Sequence, residues 1–420
     1  MPRKTPRDFA IDVVRELRSA GFEAMWAGGC VRDQVMGLPP SDFDVATNAL
    51  PDQIREVFRE RRTLSIGAAF GVITVLGPKS AGSIEVATFR QDGRYSDGRH
   101  PDSVTFSNAF ADAQRRDFTI NGLFYDPLQD KVIDYVDGQR DISNRLIRSI
   151  GEPSQRIDED KLRMLRAVRF AAKFEFAIEE KTLLAIREHA AEIQSVSRER
   201  IGTEIKKMLG HTSRGLAYYW LNRTDLLRQI FPALHPETSS LSDVSPIEHL
   251  CRSALANLPA SADPPTALAC IMLAHQAKQS SNSAMCQALK WSNKEIEKTL
   301  WISANVETLA NADQLPWSIV QPLIISPFCP DALTVGKALF ALRGQSDSGL
   351  RFCTLKLELP KDSLDPPHLL TGSDLMQLNI KPGPVFARIL NRTRQLQLDD
   401  ELHTREDALE LAKQMAKVDM

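Results

Sequence analysis

Phe9, Ile11, Val13, Val14 and Leu17 recur at close to a 3.6-residue period and predict an amphipathic helix over residues 8–20. Short runs rich in β-formers follow, "EAMWAGG", "SDFDVAT", "FGVITVLG" and "SIEVATFR", separated by turn residues. A helical stretch, "PDQIREVFRERR", sits among them, and "DKVIDYVDGQRDI" and "RLIRSIG" close the region, so residues 1–150 read as mixed α/β. After Gly151 the period changes. "DEDKLRMLRAVRFAAKF", "EKTLLAIREHAAEIQSV" and "SRERIGTEIKKMLG" are successive helical patterns. To about residue 345 the chain stays helical in pattern, broken by loops such as "HPETSSLSDVSP" and "LPASADPP". No repeat of 20–50 residues is evident, and β-signals largely stop at 150.

The totals narrow this picture only a little. The chain has 420 residues, 43% hydrophobic and 25% charged, the composition of a globular protein with two to four domains. Formal net charge is −2, so any nucleic-acid binding must come from a local basic surface. Six cysteines with no Cys-x-x-Cys spacing predict reduced thiols and a cytoplasmic location. The basic N-terminus carries no apolar segment behind it, and no apolar run reaches 18 residues, so neither export nor membrane spanning is expected.

Candidate chemistry begins at "GGCVRDQVMGLPPSDFDVAT", residues 28–47. Asp42 and Asp44 are one residue apart, so on an extended strand both point to one face, with α-carbons roughly 6–7 Å apart. Two carboxylates at that spacing can converge on one or two Mg²⁺ ions, which could activate a 3′-hydroxyl and stabilise a leaving pyrophosphate. Glu85 in "SIEVATFR" is the best third carboxylate. Upstream, Gly28-Gly29 precedes a helical "VRDQVMG", a place where amide N–H groups meet phosphate, with Arg32 adding a charged donor. Each half alone has a plain reading, a turn and a solvated loop. Their succession within twenty residues favours the functional one.

Four strings in series, "GGCVRD…SDFDVAT", "RRDFTINGLFYDP", "DEDKLRMLRAVRFAA" and "SRERIGTEIKKML", resemble the class II tRNA nucleotidyltransferase and bacterial poly(A) polymerase family, within the polymerase-β-like superfamily. The resemblance covers residues 20–210 and extends more weakly to "LLTGSDLMQLNIKPGPVFARIL". It implies Asp42 and Asp44 as Mg²⁺ ligands with Glu85 beside them, and Gly28, Gly29 and Arg32 on the triphosphate. Arg116 would contact phosphate, and Asp117 and Asn121 would sit near the ribose. Glu159-Asp160-x-x-Arg163 matches the family's nucleobase reader. On a helix Asp160 and Arg163 would share a face. The carboxylate could accept from the exocyclic amine of CTP or ATP and the guanidinium could donate to the ring, a contact worth roughly 1–3 kcal/mol in discrimination. Arg166 and Arg169 would continue the series toward the triphosphate, part of a basic stripe, Lys161 to Lys173, that contains no acid. "RERIGTE" (Arg198 to Glu204) reads as an ion-pairing support for the neck.

The implied architecture is a polymerase-β-like α/β head (1–150), a helical neck (151–215), a helical body (216–345) and a helical, RNA-binding tail (346–420). The implied activity is template-independent addition of CMP and AMP to tRNA 3′ ends from CTP and ATP, with two Mg²⁺ ions. The alternative is a poly(A) polymerase. RNA, foremost the tRNA acceptor end, is the expected partner; no DNA and no membrane are. "PIEHLCRSALANL…ALACIMLAHQAK" resembles a metal-dependent phosphohydrolase scaffold, but Ala274 and His275 stand where His-Asp is expected, so His249 and His275 read as structural or surface residues. "RQDGRYSDGRHP" (90–101) resembles the mobile loop of CCA- and A-adding members, which argues against addition of CC alone.

Overall fold

The first helix is set by its ends. Thr5 accepts from the amide of Asp8 and the Asp8 carboxylate accepts from the amide of Thr5, closing a capping box ahead of Pro6. Helix α1 (Pro6–Ser19) then buries Phe9, Ala10, Val13, Val14 and Leu17. The structure is a computed structural model that describes residues 4–59, 62–67, 71–93, 95, 98, 102–234 and 246–418. Two compact units make up the chain: residues 1–208 with 216–237, and 209–215 with 238–420.

The first unit is built on a seven-stranded mixed sheet. In chain order its strands are β1 (Ala24–Ala27), β2 (Asp44–Thr47), β3 (Thr63–Gly67), β4 (Val72–Leu76) and β5 (Ser83–Thr88); after the short hairpin β6 (Arg90–Asp92) and β7 (Val104–Phe106) come β8 (Leu123–Asp126) and β9 (Lys131–Asp134). The spatial order is β3-β4-β5-β2-β1-β8-β9. Only β2 and β5 pair in parallel; the other neighbours are antiparallel. Strand β1 lies near the middle and every residue of it is buried, hence its unbroken apolar reading. Trp26, fully buried, meets Phe43 at 4.8 Å and Tyr125 at 5.3 Å, and its burial contributes about 3 kcal/mol to the fold.

Helices α2 (Gly29–Val35), α3 (Pro51–Phe58), α4 (Ala109–Gln114) and α5 (Gly138–Ser143) complete the head. The helical part of this unit holds α6 (Pro153–Glu159), α7 (Arg163–Phe174), α8 (Glu180–Glu188) and α9 (Arg198–Leu209). Among the described residues one β-element falls beyond residue 150: Ala177–Ile178 pairs in parallel with Leu146–Ile147. The pattern "DEDKLRMLRAVRFAAKF" was expected to be one helix. It is interrupted. Asp160 is extended (φ −151°, ψ 101°) between α6 and α7, and its carboxylate accepts the amide of Leu162 at 3.1 Å. Leu162, Leu165 and Val168 face the core as their period predicts.

The second unit is helical throughout its described residues. Its helix Pro264–Ala274, capped by Asp263 accepting from Thr266, is buried on nearly every side, in keeping with its uniformly apolar sequence. Near the C-terminus, Leu370, Leu375, Ile389, Ala408 and Ala412 form a small core of their own. No single helix among the described residues is both long and apolar enough to cross a membrane. The loop "HPETSSLSDVSP" falls outside the described residues save Pro246, as do residues 94, 96, 97 and 99–101 of the loop expected to be mobile.

Candidate active site

The C-terminal end of β1 and the N-terminal end of β2 open onto a cleft of about 860 Å³, within the range that encloses a small-molecule ligand. Gly28, Gly29 and Arg32 line one side, Asp42 and Asp44 another, Arg116, Asp117 and Asn121 a third, and Asp160, Arg163, Arg166 and Arg169 the wall made by α7 and the break before it. Twelve of the thirteen residues singled out in the sequence therefore meet in one place. The thirteenth, Glu85, does not line the cleft but is the register partner of Asp44 across the parallel β2–β5 pair, so it stands beside it on the same face.

Gly28 has to be glycine. Its φ is +75°, and a Cβ there would lie 2.8 Å from Nη1 of Arg116. Its own N–H is taken by the carbonyl of Leu123 at 3.0 Å, so the amides that remain for an anion are those of the first turn of α2, from Gly29 to Val31. Arg116 is aimed by Asp112, whose carboxylate it meets at 2.9 Å, and by the ring of Phe124, 5.2 Å away. Asp112 lies four residues before Arg116 and three before Arg115 on α4, a helical spacing in "ADAQRRD" that could have marked it.

A chain of polar contacts joins α2 to α7. Arg32 meets Asp33 at 2.6 Å and donates to Oδ1 of the Asn121 side chain at 2.7 Å. The Asn121 amide donates to Asp117 at 2.9 Å, and Asp117 in turn holds Arg166 at 2.5 Å. Burial opposes ionisation of Asp117, but Arg166, Asn121 and the amide of Phe118 outweigh it and hold its carboxyl down at about 2. Asp44 goes the other way. Desolvation in the cleft, then the charges of Asp42 and Glu85, push its carboxyl up to about 6 against the pull of Arg116. Solvent still reaches the Asp44 side chain, which sits at the cleft mouth rather than in the core. Three carboxylates gathered in this way form an oxygen-donor set suited to a hard divalent cation.

Asp160 and Arg163 share the cleft but not a helix face. Asp160 sits in the break, gripped by Arg200 of α9 at 2.8 and 3.0 Å, while Arg163 opens α7 and is tied to Glu159 at 2.5 Å. The expectation that one helix aligns them is thus corrected: a long-range ion pair pulls Asp160 out of helical geometry. Glu204 of the same "RERIGTE" segment meets Arg169 at 2.6 Å. Asp33, Arg90, Asp92, Tyr95, Arg115, Phe170 and Lys173 also line the cleft and were not singled out as site residues. Tyr95 donates to Asp92 at 2.7 Å, which places the start of the expected mobile loop at the cleft.

Elsewhere, among the described residues, one trio of ligand-type side chains has donor atoms within 4.8 Å of one another: Asp158, His189 and Glu192. The ammonium of Lys161, 3.2 Å from Glu192, already supplies positive charge there. His249 is exposed and His275 half-buried at a helix end; neither belongs to such a trio.

Against known proteins, residues 24–148 match the family described as the poly A polymerase head domain, and residues 175–238 match the probable RNA and SrmB-binding site of polymerase A. A CCA-adding enzyme of Lacticaseibacillus paracasei is 32% identical over 394 residues, covering 93% of this chain and 92% of the relative. This chain belongs to the CCA-adding enzyme family. A family member from Enterococcus faecalis reaches 44% identity, over a stretch covering 50% of this chain and 52% of its own. The crystal structure of the Bacillus stearothermophilus CCA-adding enzyme in complex with CTP superposes with a TM-score of 0.74 at 25% identity, covering 99% of each chain. The Thermotoga maritima CCA-adding enzyme complexed with tRNA shares the fold, with a TM-score of 0.67 at 19% identity and coverage of 99% and 97%. The family and the head domain make this chain a nucleotidyltransferase with a polymerase-β-like head followed by helices, as the four strings implied.

Proposed function

We propose that this chain completes tRNA 3′ ends, adding CMP and then AMP from CTP and ATP without a nucleic-acid template. The observation that carries the reading is the cleft itself. A carboxylate pair, a glycine turn, the Asp117–Asn121 pair and the Asp160–Arg163 pair all open onto one volume large enough for a nucleotide. The reader holds a fixed Asp160 oxygen toward an exocyclic amine and Arg163 donors toward the ring, which suits cytosine and adenine and leaves uracil and guanine with facing acceptors. Arg32, Arg116, Arg166 and Arg169 would hold the triphosphate, and Asp117 with Asn121 the ribose. Asp42 and Asp44, with Glu85 behind them, would hold Mg²⁺, in two ions by analogy with in-line transfer sites. Bound there, the ions supply Lewis acidity at both the attacking and the leaving oxygen. Residues 1–150, 151–215, 216–345 and 346–420 would serve as head, neck, body and RNA-binding tail. Six buried, unbridged cysteines support a reducing cytoplasm.

The poly(A) alternative is not favoured, because the near full-length relative and the solved structures described above are CCA-adding enzymes. The assay that decides uses three primers, each with labelled CTP or ATP: tRNA lacking its terminal CCA, tRNA ending in CC, and oligo(A). CMP entering the first, and one AMP the second, are expected. Long ladders on oligo(A), or AMP addition with no use of CTP, would overturn CCA addition. Asp44→Ala, which removes a proposed ion ligand, should silence all incorporation.

A further inference from the structure

Four cations gather at one end of the cleft around two stacked rings. Phe170 and Phe174 lie parallel with centroids 6.0 Å apart. Arg169 packs over Phe170 at 4.2 Å and Arg166 at 5.4 Å, while Arg32 and Lys173 share Phe174 at 4.7 and 5.1 Å. Each arginine is matched by an acid: Arg32 by Asp33, Arg166 by Asp117, Arg169 by Glu204. Lys173 has no acid within ion-pair distance among the described residues, although it stands next to Arg32. Two like charges on one ring repel, and an anion placed between them removes that repulsion. Lys173 follows Arg166 by seven residues on α7 and so shares its face, two turns farther from the base reader and on the side of Asp42.

We propose that Lys173 holds the outer phosphates of the incoming nucleoside triphosphate and then the pyrophosphate that leaves. The inference rests on the reading of the cleft as a nucleoside triphosphate site. In the transfer, the primer 3′-oxygen bonds to the α-phosphorus while the bond from that phosphorus to the bridging oxygen breaks. The electron pair leaves with pyrophosphate and the hydroxyl proton passes to solvent. Negative charge therefore grows on the β-phosphate side, where an uncommitted ammonium is worth more than a guanidinium already shared with a carboxylate. Desolvation, then the charge of Arg32, lowers the pKa of Lys173, as expected of an ammonium held among cations.

The test uses the full-length chain, Lys173→Met and Lys173→Arg. Calorimetry measures binding of magnesium pyrophosphate and of CMP, and a separate arm measures CMP incorporation on tRNA lacking CCA. Pyrophosphate affinity should fall about tenfold in Lys173→Met and recover to within about threefold in Lys173→Arg, with CMP affinity unchanged in both. The KM for CTP should rise in parallel with the lost pyrophosphate affinity. Unchanged pyrophosphate affinity in Lys173→Met overturns the assignment. So does an equal loss of CMP and pyrophosphate binding in both variants, which would mark a purely structural side chain. Absence of incorporation by the native chain would refute the function proposed above instead, and the pyrophosphate measurement would still decide the role of Lys173.

Discussion

Asp117 shows how much a single side chain does here. It accepts from Arg166, Asn121 and its neighbouring amide, and through them it ties the 3₁₀ turn at residues 119–121 to α7. Asp117→Asn keeps the shape and removes the charge, leaving Arg166 without its partner. The cost should be about 2 kcal/mol, below the roughly 3–5 kcal/mol of a fully buried pair, since 34% of the Arg166 side chain stays exposed. The pH dependence follows from the lowered carboxyl. Its contribution is complete above the unfolded value of about 4 and is lost as pH falls through about 2. The difference in melting temperature between the native chain and Asp117→Asn should stay constant from about pH 8 to pH 5 and close toward pH 2. A difference that begins to close at neutral pH would mean that Arg166 does not hold Asp117 ionised.

Between α6 and α7 the same logic operates on an element. The break sets Asp160 apart from Arg163, and Arg200, forty residues away in sequence, fixes where the Asp160 carboxylate points. Arg200→Met should let that carboxylate swing, so incorporation of UMP and GMP relative to CMP and AMP should rise about tenfold while the melting temperature shifts little. Selectivity that survives the change would remove Asp160 from the reader. This element also marks the limit of what the sequence could tell. Asp42, Asp44 and the glycines were legible because their geometry is local: the alternating exposure of Asp42, Phe43 and Asp44 at the entry to β2 and the positive φ of Gly28 involve neighbouring residues only. Glu85 was legible as a strand residue, but its pairing with Asp44 belongs to sheet register. The interruption at Asp160 was invisible, because "DEDKLRMLRAVRF" has helical period throughout, and the break is held by a local carboxylate–amide contact together with a long-range ion pair. Lys173 was seen as one charge in a stripe; that its neighbours are matched by acids and it is not depends on Asp33, Asp117 and Glu204, which are scattered along the chain.

For the whole molecule, charge is the governing quantity. With a net charge of −2 and a pI near 6.5, no global field draws RNA in, and the cleft arginines are largely neutralised by their own acids. Affinity for a long phosphate backbone must then come from local basic surface elsewhere. Helix Pro384–Leu398 has the composition for it, three arginines and no acid in fifteen residues. Arg394 meets Asp365 at 2.7 Å, and Arg388 and Arg392 are exposed one turn apart on one face, beside a groove that they line with Leu411 and Met415. If this tail grips RNA, Arg388→Ala with Arg392→Ala should weaken binding of tRNA lacking CCA and lower the slope of log affinity against log salt by up to about 2, near 0.9 for each phosphate lost. The KM for CTP should not change, because no nucleotide-cleft residue is touched. Filter binding at four salt concentrations reads both quantities. An unchanged slope would move the RNA-gripping surface off this helix, and a changed KM for CTP would show that the substitutions act on the cleft rather than on the phosphate backbone.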